Sequence, residues 1–103
     1  MMSCYFIARI DIHDDREYEK YLAGVDEVFA KFHGKYLAAD SLPEPLEGDP
    51  APGRIVLIEF PSREELLRWY RSEEYQRILK HRLAAASCEA VIARGSDQAP
   101  TAT

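Results

Sequence analysis

The sequence is poor in the residues from which several common kinds of site are built. It holds two cysteines, too few for a disulfide framework, and no basic, apolar and small-residue regions follow Met1, so a cytoplasmic protein with reduced thiols is expected. Uninterrupted apolar runs are short, five residues at Cys4 to Ala8 and four at Ile55 to Ile58, well below the ~20 that span a bilayer, and no membrane partner is expected. Positive charge is in deficit. Thirteen Lys and Arg stand against 18 Asp and Glu, a formal net charge of -5, so nucleic acid or an anionic surface would be repelled on average. The three histidines, His13, His33 and His81, lack metal-ligand spacing, and neither a metal nor a cofactor is expected. No histidine adjoins Ser62, which leaves that serine without the base a nucleophile needs. No catalytic signature appears, and catalytic residues stay unassigned.

What is present is strongly patterned. The 103 residues suffice for one domain, here taken as residues 1–95 followed by a disordered polar tail over 96–103. "CYFIARIDI" from Cys4 to Ile12 alternates as a strand does. Asp14, three residues before Glu17, marks a helix start, and Gly34 marks its end. Between them Tyr18, Tyr21, Leu22, Val25, Val28, Phe29 and Phe32 recur at helical spacing and predict one buried face. A short strand is expected at Lys35 to Ala39. The next stretch, "DSLPEPLEGDPAPG", has four prolines and two glycines and predicts a long loop.

"RIVLIEF" from Arg54 to Phe60 is apolar at both parities except for Arg54 and Glu59, the pattern of a central strand covered on both faces. Ser62 with Glu65 and Ser72 with Tyr75 then open two successive helices. The first presents Leu66, Leu67, Trp69 and Tyr70. The second presents Tyr75, Ile78, Leu79, Leu83 and Ala86 to the core, and a last strand runs from Cys88 to Arg94.

The order β-α-β-β-α-α-β predicts an α+β, ferredoxin-like split βαβ fold: a four-stranded antiparallel sheet with its helices on one face. Phe6, Ala8, Ile10, Val56, Ile58 and Phe60 would face the helices. Ile7, Ile55 and Leu57 would lie on the opposite face, where leaving them wet forgoes roughly 1.5 to 3 kcal/mol for each. No other segment of the chain is apolar enough to cover them. A second copy is, and the expected assembly is a homodimer, two sheets face to face in a dimeric α/β barrel with a lumen that suits a small-molecule ligand.

Two charges interrupt the central strands. Arg9 and Glu59 are expected on adjacent strands and on the open face, either as ligand anchors or as a structural ion pair. Tyr5 shares their face. Glu47, in the long loop beside Gly48, is placed to reach the mouth of the lumen, or else merely shapes a turn. The ligand-binding candidates are therefore Tyr5, Arg9, Glu59 and Glu47. Tyr18, Tyr21, Trp69, Tyr70 and Tyr75 are assigned to the core with wet polar edges, and a stacking surface for an aromatic substrate is the alternative. Cys4 and Cys88 should sit at opposite ends of neighbouring antiparallel strands, about 20 Å apart at ~3.3 Å per residue, beyond disulfide reach.

The runs "LEG" at Leu46 to Gly48, "RIVLIEFPS" at Arg54 to Ser62 and "WYRSEEYQ" at Trp69 to Gln76, with Arg82, resemble the domain of unknown function family 1330 over roughly Cys4 to Gly95. That resemblance implies the dimeric α/β-barrel superfamily, which includes cofactor-independent monooxygenases, isomerases and haem-degrading enzymes. It singles out none of these activities and carries over no catalytic residue. The leading expectation is a homodimer that binds a small organic molecule between its sheets. The alternatives are a non-catalytic dimer with a packed inter-sheet core, and a cofactor-independent monooxygenase-like or isomerase-like enzyme.

Overall fold

Alternating burial along Cys4–Ile12 makes the first strand, β1, in the computed structural model, which describes residues 3–50 and 52–96. Helix α1 (Asp15–Ala30) follows, then β2 (Lys35–Asp40), β3 (Arg54–Phe60), α2 (Arg63–Arg71), α3 (Glu73–Ala85) and β4 (Ala86–Arg94). The four strands form one antiparallel sheet in the order β2-β3-β1-β4, the split βαβ arrangement. The polar tail expected over 96–103 lies, from residue 97 onward, outside the described residues.

The helix starts are where the side chains demand them. The Asp14 carboxylate accepts from the Glu17 N–H at 3.1 Å, and Ser62 accepts from the Glu65 N–H at 3.1 Å. Ser72 serves two helices at once: its hydroxyl donates to the Trp69 carbonyl at 2.8 Å and accepts from the Tyr75 N–H at 3.1 Å. No linker separates α3 from β4 either. The strand begins at Ala86, two residues before the expected Cys88, because Ala86 is already paired with Ile12. The Ala85 carbonyl accepts from both His13 and Asp14 N–H groups and ties the end of α3 to the end of β1.

Four other expectations need correction. Helix α1 ends at Ala30, and Gly34 lies beyond a turn whose His33 takes the positive φ of 62°. Gly34 is there for space: a Cβ at this position would sit 2.9 Å from the rings of Phe29 and Phe60. Strand β2 runs one residue past Ala39, with a bulge between Tyr36 and Ala38. Leu22 and Leu83, assigned to apolar stripes, are 42% and 58% exposed. In α3 the buried position next to Leu83 belongs to Arg82, on the face shared with Tyr75 and Leu79.

The core lies between the helices and one sheet face. Cys4, Phe6, Ala8, Ile10, Val56, Ile58 and Phe60 bury against Tyr18, Tyr21, Val25, Phe29, Leu66, Trp69, Tyr75 and Leu79. Trp69 stands at the centre, its ring centroid 4.2 Å from that of Tyr75 and 5.2 Å from those of Phe6 and Phe60. Tyr18, Tyr21, Trp69 and Tyr75 are core residues as expected and Tyr70 is half-buried, but the expected wet edges are absent at three of them: the Tyr21 and Tyr75 hydroxyls bond each other in the interior and the Trp69 indole nitrogen is buried. Cys4 and Cys88 are free thiols, paired in register with Arg94 and Ile10 at opposite ends of β1 and β4. Glu17 on α1 and His81 on α3 join the helices at 2.6 Å, and this bond, with Lys20, holds the Glu17 carboxyl below its usual range. Among the described residues, no helix is long and apolar enough to cross a membrane.

Candidate functional site on the open sheet face

The sheet face turned away from the helices is built from residues that the pleat sends outward. In register across β2, β3, β1 and β4, the first row is Lys35, Glu59, Tyr5 and Ala93. The second is Ala38, Leu57, Ile7 and Val91. The third is Asp40, Ile55, Arg9 and Glu89. Ile7, Leu57 and Ile55 are half-buried and Val91 is 59% exposed, so an apolar band crosses the face between two polar ends.

All four candidates sit at those ends, in two pairs. Tyr5 and Glu59 are direct cross-strand partners, and the phenol donates to the carboxylate at 3.3 Å. A cleft of about 200 Å³ at this end is lined by Glu59 with Ser3, His33, Lys35, Phe60 and Pro61. At the other end, the long loop after β2 arches over Arg9. A cleft of about 180 Å³ there is lined by Arg9 and Ile55 from the sheet and by Glu44, Glu47 and Asp49 from the loop. Glu47 thus lines one cleft with Arg9.

The Arg9–Glu59 ion pair is not. Both residues are on adjacent strands and on the same face, but Arg9 is opposite Ile55 and Glu59 is opposite Tyr5. That offset of four residues is about 13 Å at ~3.3 Å per residue. Arg9 instead forms an ion pair with Glu89, its partner in register on β4. Glu89 went unnoticed because its meaning depends on the β1–β4 register, although its parity with Val91 and Ala93 is visible in the sequence.

Burial singles out a second residue that pattern reading missed. Arg82 is 2% exposed, the buried charged side chain among the described residues. Its guanidinium lies 5.6 Å from the ring centroid of Tyr21, whose phenol shares a 2.7 Å hydrogen bond with that of Tyr75. Phenols and a ring face replace the carboxylate that a buried arginine usually takes. Burial is the first cause that pushes the Tyr21 and Tyr75 phenols up. This cluster fills the helical layer, on the far side of the sheet from the open face.

The model of the family described as Domain of unknown function (DUF1330) matches residues 3–96. The chain belongs to this family. No curated protein matches it. Among solved structures, this DUF1330 chain is similar to a protein of unknown function from Rhodopseudomonas palustris, with 19% identity, 89% of this chain and 81% of the other covered, and a TM-score of 0.74. It is similar to a dimeric ferredoxin-like protein of unknown function from Jannaschia sp. CCS1, at 11% identity, 88% and 97% coverage and a TM-score of 0.72. A mutant form of SnoaB, a cofactor-independent oxygenase from Streptomyces nogalater, is similar at 16% identity, 95% and 97% coverage and a TM-score of 0.68. At these identities the likeness establishes the ferredoxin-like fold for this DUF1330 member and nothing about its chemistry.

Proposed function

We propose that the chain forms a homodimer by laying its open sheet face on that of a second copy, and that a small organic molecule is held between the two sheets. The observation that supports this reading is the band of Ile7, Leu57, Ile55 and Val91, apolar and partly wet, set between two polar ends. The loop after β2 covers only the Arg9 end. Covering the remainder with an identical face recovers roughly 1.5 to 3 kcal/mol for each large side chain it buries. The dimeric ferredoxin-like proteins of the same fold lend support.

The charges at the two ends narrow the ligand. Arg9 is neutralised by Glu89 and overlooked by Glu44, Glu47 and Asp49, an environment that disfavours an anion. A hydroxylated neutral molecule, or one with a positive charge, matches it better. Tyr5 and Glu59 would hold one end of such a molecule and Arg9 and Glu47 the other. The two free cysteines suit a reducing compartment, and the cytoplasm is the location we assign.

Light scattering of the wild type and of Leu57→Asp, with native mass spectrometry of the same preparations, tests this reading. The wild type is expected to be a dimer that carries a non-covalent mass, and Leu57→Asp a folded monomer without it. Glu59→Gln and Arg9→Met should retain the dimer and lose most of the bound mass. A monomeric wild type at micromolar concentration would remove the lumen altogether. A dimer that carries nothing, with its inter-sheet space filled by side chains, would establish the packed-core alternative.

A further inference from the structure

On the other side of the sheet, between α2 and the edge strand β4, lies a groove of about 320 Å³. Phe6 forms its floor and Leu66, Leu67 and Tyr70 its helical wall, while Ala90 and Ile92 project from β4 to form the opposite wall. Phe6 and Leu66 are nearly inaccessible, whereas Ile92 is 40% exposed although apolar. An exposed isoleucine on an edge strand beside a preformed apolar cleft marks a surface that gains from being covered.

The rim is polar in one place. Arg71, the last residue of α2, and Gln76, on the first turns of α3, stand together at one end. Gln76 is fixed by donating its amide to the Tyr70 carbonyl at 2.6 Å. Arg71 has no ion-pair or hydrogen-bond partner among the described residues. Of the carboxylates nearby, Glu73 is taken by Arg77, Glu74 by Lys31 and Glu65 by Arg68, while Glu64, which lines a neighbouring cleft with Arg71, makes no ion pair with it. The groove is therefore an apolar slot with one unpaired guanidinium at its mouth.

We propose that this slot binds a small amphipathic monocarboxylate. Its apolar body, an aromatic ring or a short branched chain, lies between Tyr70 and Ile92 above Phe6, and its carboxylate pairs with Arg71, whose fork of donors matches it. The volume, at ~30 Å³ for each water it would otherwise hold, suits a body of about ten non-hydrogen atoms. The site opens on the helical side of the sheet and shares Val91 of the edge strand with the inter-sheet band. Pairing the open faces covers the opposite side of the sheet and leaves α2, Tyr70 and Ile92 accessible.

Amide NMR spectra titrated with phenylacetate, para-isopropylbenzoate and 4-methylpentanoate, each beside its neutral carboxamide, test the proposal. The acids are expected to shift the amides of Leu67, Tyr70, Ala90 and Ile92, and to bind at least tenfold more tightly than the carboxamides. Arg71→Gln should remove that preference and leave carboxamide binding unchanged, with the spectrum otherwise native. Ala90→Trp, which fills the slot from the exposed strand, should abolish both. Equal binding of acid and carboxamide, an unaltered preference in Arg71→Gln, shifts confined to the open sheet face, or no binding by any of the three acids at millimolar concentration would each overturn it. Loss of the dimer in Leu57→Asp has no bearing on these shifts, so the two readings fail separately.

Discussion

Arg9 closes on Glu89 across β1 and β4, while Glu59, on the other flank of β1, takes its hydrogen bond from Tyr5. The two charges that interrupt the central strands therefore belong to separate ends of one face. In the isolated chain the Arg9 and Glu89 side chains are 38% and 76% exposed, which limits their pairing to about 0.2 to 1 kcal/mol. Double-mutant cycles in denaturant melts, with Arg9→Met against Glu89→Gln and against Glu59→Gln, should give a coupling of that size for the first pair. The second pair should be additive within about 0.5 kcal/mol. A larger coupling to Glu59 would mean that the dimer brings the two ends together.

Ser72 and Ser62 should not be equivalent. Ser62→Ala removes one cap and is expected to cost about 1 kcal/mol. Ser72→Ala removes a cap and also the bond to the Trp69 carbonyl, and about 1.5 to 2.5 kcal/mol is expected. Chemical denaturation of both variants measures the difference. Neither change should alter binding at the open face.

The buried cluster of Arg82, Tyr21 and Tyr75 gives an asymmetric expectation. Arg82→Met leaves the two phenols bonded to each other and should change stability by no more than about 1 kcal/mol in either direction. Tyr75→Phe removes the hydroxyl that Tyr21 bonds and leaves the Tyr21 phenol buried without that partner, and should cost about 2 to 3 kcal/mol. If the arginine change proved the more damaging, the charge itself would be what holds the helical layer together.

Alkaline titration should expose the same layer. Burial is the first cause that raises the phenols of Tyr18, Tyr21, Tyr36 and Tyr75, and Tyr36 is pushed up to about 12. A raised pKa stabilises the folded form below the unfolded value near ~10, and that contribution is lost as pH rises through the folded value. Stability should hold to about pH 10 and fall over the window up to about pH 12 that Tyr36 sets. Circular dichroism and tyrosinate absorbance, followed together, should show these phenols ionising as the chain unfolds. Ionisation of Tyr18, Tyr21 and Tyr75 in a chain that keeps its fold would contradict their burial.

Much of this architecture was legible in the residues. Parity assigned Phe6, Val56 and Ile58 to the helical side and Ile7 and Leu57 to the open side. Asp14, Ser62 and Ser72 marked helix starts because a side-chain acceptor at the N-cap meets a local backbone need. The pairing of Arg9 was not legible, since the partner of a strand residue depends on register, which is set by turns and bulges far along the chain. Leu83 and Arg82 defeated a hydropathy reading for a different reason. Helical phase relative to Tyr75 and Leu79 put residue 82 inside, and a ring of phenols made that place tolerable for a guanidinium. The groove beside β4 was invisible as well, because its walls come from α2 and β4, which are distant in sequence and whose exposed apolar members look like ordinary strand and helix residues.

The direct passage of α3 into β4 has a mechanical meaning. With Ala85 and Ala86 adjacent and the Ala85 carbonyl bolted to the backbone of His13 and Asp14, there is no slack in which a displacement of the helix can dissipate. Helix and strand meet at one fixed point, the end of β1. The helix carries Gln76 at the rim of the slot. The strand carries Ile92 on one side of the sheet and Glu89, with its hold on Arg9, on the other. Because β4 is itself paired with β1 from Ala86 to Arg94, the junction of helix and strand seats the end of α3 directly on the sheet.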